Sequence, residues 1–77
     1  MENKQAICDA LLPVLKMTEG LRDLESMEYR QDGPISGIEV VICTFRDPLE
    51  FSFQRVIIDV TDNSGSELIK TIINCIA

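Results

Sequence analysis

The sequence predicts a small α+β domain with the element order α-β-β-β-α, in which a three-stranded antiparallel meander packs against two helices. Segments with apolar residues at helical spacing lie towards both ends of the 77-residue chain, and segments rich in alternating or β-branched apolar residues lie between them. A chain of this length has room for one hydrophobic core. Its 45% hydrophobic content argues against disorder. We therefore expect residues 1–77 to form a single globular domain.

The first predicted helix covers residues 3–18, where Ile7, Leu11 and Leu15 recur at helical spacing. Pro13 lies inside this pattern and has no backbone N–H to donate. It therefore either kinks the helix or separates the first turns as an independent piece. The sequence leaves these two alternatives open.

Three strands are predicted between the helices, at residues 21–31, 38–45 and 50–61. The first two are separated by an Asp-Gly-Pro turn at 32–34, and the last two by a short turn at 46–49. Because both connections are short, we expect neighbouring strands to pair in the antiparallel direction.

The apolar residues of the third predicted strand fall on both parities. Phe53 lies on the same parity as Ile57, whereas Ile58 lies on the other. A β-bulge inserts one extra residue and would bring these side chains onto one face. We therefore predict an irregular third strand with a bulge near Gln54 and Arg55.

The last helix is predicted from a capping box and an apolar stripe. Ser64 and Glu67 have the spacing at which an N-cap hydroxyl and a carboxylate three residues later satisfy backbone donors at a helix start. The helix is expected to run almost to Ala77. Its apolar stripe consists of Leu68, Ile69, Ile72, Ile73 and Ile76.

The second predicted strand is apolar on both faces, which bears on the oligomeric state. The two sets are Ile38, Val40 and Ile42 on one side and Val41, Cys43 and Phe45 on the other. A strand that is apolar on both faces is expected to be covered on both. Either the two helices divide between the faces, or one face is buried against another copy, as the apolar Phe51 and Phe53 favour. We expect a homo-oligomer, most simply a two-fold dimer.

The composition excludes most catalytic and metal chemistry. The chain has no histidine, which removes the commonest general base and a common zinc ligand. The cysteines Cys8, Cys43 and Cys75 are far apart in the sequence, and we expect each to be a buried small hydrophobe. Paired carboxylates need a cleft that separates their pKa values, which a domain this small rarely encloses. We therefore predict no enzymatic activity, no cofactor and no metal site.

The charge and the cysteine count favour an acidic cytoplasmic protein. The net charge is −6, and its scattered basic residues disfavour direct binding of DNA, RNA or an anionic membrane. No apolar run approaches the length of a membrane-spanning helix. The odd number of cysteines and the polar N-terminal end indicate a reducing compartment, so cytoplasmic localisation is expected.

An acidic run joins the first helix to the first strand, and two interpretations of it are possible. It could imitate a phosphate backbone and occupy a nucleic-acid-binding protein. Alternatively, it is an exposed linker and strand edge kept soluble by charge. The run is opposed within its own length by Arg22 and Arg30 alone. Its members are Glu19, Asp23, Glu25, Glu28 and Asp32.

The element order resembles that of the double-stranded-RNA-binding domain, in which both helices lie on one sheet face. That resemblance implies RNA binding through lysines at the start of the last helix. Here residues 63–67 read Asn-Ser-Gly-Ser-Glu, with Lys70 the one nearby base. Because the basic motif is missing, an RNA-binding module is the disfavoured alternative.

The segments Met17–Tyr29 and Val60–Ile73 resemble small uncharacterised accessory proteins of bacterial phages and mobile elements. The resemblance implies a non-enzymatic accessory protein that acts by binding, on a component of the host or of its defence. It brings no catalytic residue to this chain.

Two functional hypotheses follow. In the first, the chain self-associates and binds a protein partner through an uncovered sheet face or through the acidic run. In the second, it is a nucleic-acid mimic or inhibitor that acts through the acidic run. The candidate interaction residues are Glu19, Asp23, Glu25, Glu28, Asp32, Val41, Cys43, Phe45, Phe51 and Phe53.

Overall fold

The computed structural model describes residues 3–31 and 37–76 and confirms the predicted order α-β-β-β-α. The expected Asp-Gly-Pro turn and the candidate residue Asp32 lie outside the described residues. The elements are α1 (Lys4–Lys16), β1 (Leu24–Gln31), β2 (Glu39–Asp47), β3 (Ser52–Asp59) and α2 (Gly65–Ile76).

Helix α1 continues through its proline. Asn3 caps the helix, because its side-chain oxygen accepts a hydrogen bond from the backbone N–H of Ala6 at 3.0 Å. Pro13 lies on the exposed side, where the ring does not disturb the packing of Cys8 and Leu15 against the sheet. Of the two alternatives for this segment, the continuous helix is the one observed, and it ends two residues earlier than expected.

The sheet is an antiparallel meander with β2 in the middle. Met27 of β1 lies opposite Cys43 of β2, which in turn lies opposite Val56 of β3. Side chains of these three residues point to the same face, because residues directly opposite each other in a sheet share a face. The predicted antiparallel pairing is therefore confirmed for both hairpins.

The bulge lies in β1, and the predicted bulge in β3 is wrong. The register shifts between Leu24 and Ser26, so Glu25 is the extra residue. The pairing of β2 with β3 is regular throughout. Apolar residues occur on both parities of β3 for a different reason: Ile58 packs in the core, whereas Ile57 is 67% exposed on the opposite face.

Both helices cover the same face of the sheet. Val41 and Cys43 of β2 are fully buried in one cluster with Cys8 of α1 and with Leu68 and Ile72 of α2. The helices also contact each other across this face. The alternative in which the helices divide between the two faces is therefore excluded, and no helix of the described residues lies over the other face.

The start of α2 contains one half of the predicted capping box, because the Glu67 carboxylate bonds to the Ser64 hydroxyl and not to its backbone N–H. The Ser64 hydroxyl oxygen accepts from the backbone N–H of Glu67 at 3.3 Å, and the hydroxyl donates to the Glu67 carboxylate at 3.0 Å. The predicted apolar stripe faces the core at Leu68 and Ile72, while Ile73 is 39% exposed. Within the described residues, neither helix is long enough to cross a membrane.

The cysteines differ in their surroundings, which corrects one expectation. Cys8 and Cys43 are buried as predicted, but Cys75 is exposed. Cys75 borders an open groove beside Phe45, Gln54 and Val56 of the sheet, where solvent reaches its side chain. All three are free thiols. Burial raises the pKa of Cys8 and raises that of Cys43 to about 11.

Candidate interaction surface

The face of the sheet opposite the helices has no covering element among the described residues. We call it the open face. Its centre is formed by strand residues that alternate with the buried ones, so their side chains point away from the helices. The members of the open face are Ser26, Glu28, Arg30, Val40, Ile42, Thr44, Arg46, Phe53, Arg55, Ile57 and Asp59.

Exposed apolar side chains are concentrated along β3 and the turn that precedes it. Phe53 is 61% exposed and Ile57 is 67% exposed on the open face. At the preceding turn, Leu49 and Phe51 are more exposed still. We call these four residues the hairpin strip. Isolated exposed apolar residues are ordinary, whereas a contiguous set of them marks a surface suited to binding.

The turn between β2 and β3 holds the outer part of the hairpin strip in place. The Asp47 carboxylate accepts hydrogen bonds from the backbone N–H groups of Leu49 at 2.9 Å and Glu50 at 3.3 Å. Phe51 then adopts a positive φ of 55°. This conformation is unfavourable for a bulky aromatic residue, and the four-residue turn that joins the paired Asp47 and Ser52 imposes it.

A shallow depression of about 450 Å³ lies on the open face. Its rim carries both signs of charge: Glu28 forms an ion pair with Arg30 at 2.9 Å, and Arg55 lies across from them. Thr44 and Ile42 form its floor, since β2 is the middle strand. A depression this open can hold side chains of another protein, but it does not exclude water as a catalytic cleft does.

The acidic run does not form an uninterrupted negative surface. Glu19, Asp23, Glu25 and Glu28 are all exposed, as the sequence suggested. However, Asp23 shares a groove with Arg22 and Arg46. Because Glu28 is also paired with an arginine, cations are interspersed among these carboxylates.

Three β2 residues that were expected to contact a partner lie on the covered side of the sheet. Val41 and Cys43 are completely buried under the helices, so neither can contact a partner. Phe45 is partly buried against the same core. The sequence shows that both faces of β2 are apolar, but it does not show which one the helices cover. Phe51 and Phe53, in contrast, are exposed as expected.

Sequence reasoning missed two important residues of the open face, Arg55 and Ile57. Both lie on the same parity as Phe53, which was a candidate. A regular alternation from Phe53 onwards would have identified them. The expected bulge at Gln54 and Arg55 hid this signal, because it reversed the inferred direction of every later side chain.

A second polar cluster, at Glu39, connects α1 to the sheet. Its carboxylate accepts from Lys4 Nζ at 2.6 Å and from the Tyr29 hydroxyl, and the backbone N–H of Asp62 approaches it at 3.4 Å. The hydrogen bonds from Lys4 and Tyr29 lower the pKa of Glu39. A carboxylate held in its ionised form by several donors stabilises the fold and is a poor proton acceptor.

Within residues 3–31 and 37–76 there is no group of three or more histidine, cysteine or acidic side chains placed to hold a metal ion. Comparison with known proteins gives no further assignment. No protein-family model, curated protein or solved structure matches this chain.

Proposed function

We propose that this chain is a non-enzymatic protein-binding protein whose first partner is a second copy of itself. The open face and the hairpin strip are its working surface. The observation that carries the proposal is the exposure of Phe53 and Ile57 along β3, on a sheet face that no described helix covers. In a chain of 77 residues, burying such a surface against another molecule adds stability that the small core alone does not supply.

The charges of the open face favour a second copy as the occupant. Arg30, Arg55 and Arg46 lie on the same surface as Glu28, with Glu25 at its margin. Two identical surfaces related by a two-fold axis can therefore place cations of one copy against carboxylates of the other. A surface of one sign would repel its own copy, and this surface carries both signs.

The buried and hydrogen-bonded state of the reactive groups supports a role without catalysis. Cys8 and Cys43 are protonated thiols in the core, because burial raises their pKa values. The Glu39 carboxylate is already saturated with donors. The resemblance to accessory proteins of phages and mobile elements adds the proposal that the self-associated protein acts on a host component by binding.

The alternative, mimicry of a nucleic acid, has less support. Decoy phosphates require a continuous negative surface, whereas Arg30 is bonded to Glu28, and Arg22 and Arg46 lie near Asp23. An RNA-binding role has less support again. The start of α2 carries Glu67 and no lysine, and a carboxylate there repels a phosphate.

The proposal is tested by the solution mass, measured by light scattering on a size-exclusion column over a range of concentrations. The wild-type chain is expected to be a dimer. Ile57→Ser, which makes the β3 side of the open face polar, is expected to weaken the dimer about tenfold or more. The matched control is Met17→Ser, because Met17 is 85% exposed near the end of α1, away from the open face. A wild-type chain that is monomeric at every concentration would contradict self-association.

A further inference from the structure

The outer edge of β3 has backbone groups available for pairing with another strand. The Val60 N–H donates to the Glu39 carbonyl at 2.9 Å, which makes these opposite residues a hydrogen-bonded pair. Antiparallel pairs alternate between hydrogen-bonded and non-hydrogen-bonded. The N–H and C=O groups of Arg55, Ile57 and Asp59 therefore point away from β2, and no described strand lies beyond them.

The opposite edge of the sheet is protected. The Gln5 side-chain amide donates to the Met27 carbonyl at 3.3 Å, and its oxygen accepts from the Tyr29 N–H at 2.8 Å. These contacts occupy the outward-pointing groups in the middle of β1. Proteins commonly cover or charge an edge to prevent pairing with other chains. Here β1 is covered by α1, and β3 is left open.

We infer that β3 pairs in antiparallel fashion with β3 of a second copy, about a two-fold axis that passes between the two Ile57 residues. This inference rests on the proposed self-association and specifies its geometry. Ile57 of one copy then lies opposite Ile57 of the other as a hydrogen-bonded pair. The two three-stranded sheets join into one six-stranded sheet whose open faces are continuous.

Charge selects this register over its neighbours. With Ile57 on the axis, Arg55 lies directly opposite Asp59 of the second copy, and the symmetry forms this pair twice. With Val56 on the axis, Arg55 would face Ile57 and Asp59 would face Phe53. With Arg55 on the axis, two guanidinium groups would face each other. Opposite charges directly across a strand pair stabilise it, and like charges destabilise it.

The arrangement also explains the exposed residues along β3. Ile57 is 67% exposed in the single chain, and in this register its side chain would pack beside Ile57 of the second copy at the centre of the contact. Arg55 is exposed and approaches no carboxylate within ion-pair distance among the described residues. An arginine on an edge strand normally discourages pairing, but in this register it meets a carboxylate of the second copy.

The test uses two charge reversals, Arg55→Glu and Asp59→Arg, measured separately and mixed. Each variant alone places like charges opposite each other twice, so its dimer is expected to be weakened about tenfold or more. In an equimolar mixture, the carboxylates of the R55E chain face the guanidinium groups of the D59R chain at both positions. The mixture is therefore expected to form a heterodimer, detected by native mass spectrometry at low ionic strength, where screening is weak.

Controls separate this result from a loss of folding. Asp59 accepts a hydrogen bond from the Thr61 N–H at 2.9 Å, so circular dichroism must show that D59R is folded. Asp59→Asn keeps this acceptor, removes the charge and is expected to weaken the dimer less than D59R does. Arg22→Glu makes the same charge change as R55E in an exposed loop and is expected to leave the dimer intact.

Two other results would overturn the inference in distinguishable ways. If the wild-type dimer is unaffected by R55E and D59R but is weakened by Ile57→Ser, the copies meet through the open faces in another arrangement. The edge pairing is then wrong, while the proposed function stands. If folded R55E and D59R do not combine in the mixture, the register is wrong. A monomeric wild-type chain would remove both the edge pairing and the self-association.

Discussion

The side-chain amide of Gln5, on helix α1, hydrogen-bonds to the backbone of Tyr29 on β1 in the way that the backbone of a neighbouring strand would. The Gln5 side-chain oxygen accepts from the Tyr29 N–H at 2.8 Å, and the same amide group donates to the Met27 carbonyl at 3.3 Å. A primary amide carries both an N–H donor and a carbonyl acceptor, as a peptide group does. The side chain thereby satisfies the edge of β1 and fixes α1 against the sheet.

We expect Gln5→Ala to open this edge. The backbone N–H of Tyr29 loses its partner, so its hydrogen exchange, followed by NMR, is expected to accelerate about tenfold, while global stability falls by about 1 kcal/mol. Lys16→Ala is the control, since Lys16 is exposed at the end of the same helix. Exchange at Tyr29 that equals the wild-type rate in the Q5A chain would show that the side-chain amide does not protect the edge.

The Glu39 cluster should make stability depend on acid pH. Hydrogen bonds from Lys4 and Tyr29 lower the pKa of Glu39 below its ordinary value of 4.5. A carboxyl group whose pKa is lower in the folded state stabilises the fold above its unfolded-state pKa. This contribution is lost as the pH falls through the lower, folded-state value.

Glu39→Gln isolates this effect. At neutral pH we expect the variant to unfold about 1 kcal/mol more easily, because it loses the charge-assisted bond from Lys4. As the pH falls from about 4.5 to below the folded-state pKa, the difference from wild type should shrink. Urea unfolding of the wild type and the variant across this pH range measures the stability difference at neutral pH and its decrease in acid. A difference that stays constant with pH would show that the Glu39 charge is not the group responsible.

Much of the fold was predictable because the local signals agree with one another. The capping box at Ser64 and Glu67 located the start of α2, and short connections predicted the meander. The assignment of faces was not predictable in the same way. Val41 and Ile42 are adjacent and both apolar, yet Val41 is fully buried and Ile42 faces the open side. Tertiary packing decides which of the two faces of β2 the helices cover. The periodicity of the strand sequence does not contain this information.

The candidate surface was only partly predictable for the same reason. Phe51 and Phe53 were identified because a chain this small has few other residues that could cover two large aromatic side chains. The bulge in β1 was missed because the extra residue, Glu25, is neither a glycine nor a typical turn residue, and so nothing in the sequence indicates it. The Gln5–Tyr29 and Lys4–Glu39 contacts join residues 24 and 35 positions apart. Such contacts leave no periodic signal in the sequence.

The three cysteines should differ sharply in reactivity. Cys75 is exposed, whereas Cys8 and Cys43 are buried and have raised pKa values. Because the thiolate is the reactive form, a colorimetric thiol reagent at neutral pH is expected to modify one thiol per folded chain. After denaturation it should modify all three. Folded Cys75→Ser should then not react, and rapid modification of a second thiol in the folded wild type would contradict the burial.

The turn at Phe51 gives a prediction that connects stability with function. Phe51 has a φ of 55° and is 78% exposed, so its ring contributes little to the core. Glycine adopts positive φ without the steric cost that a Cβ imposes. We therefore expect Phe51→Gly to raise the free energy of unfolding by about 0.5 kcal/mol, after allowing for the greater freedom of glycine in the unfolded chain.

Leu49→Gly is the matched control, because Leu49 is exposed in the same turn and does not have a positive φ. Without strain to relieve, this variant should be as stable as wild type or less stable. Denaturant unfolding of both variants distinguishes the cases. If Phe51→Gly also lowers stability, the ring contributes to folding. If it raises stability, the chain retains a strained, exposed aromatic residue that the fold does not need, which is the behaviour expected of a contact residue.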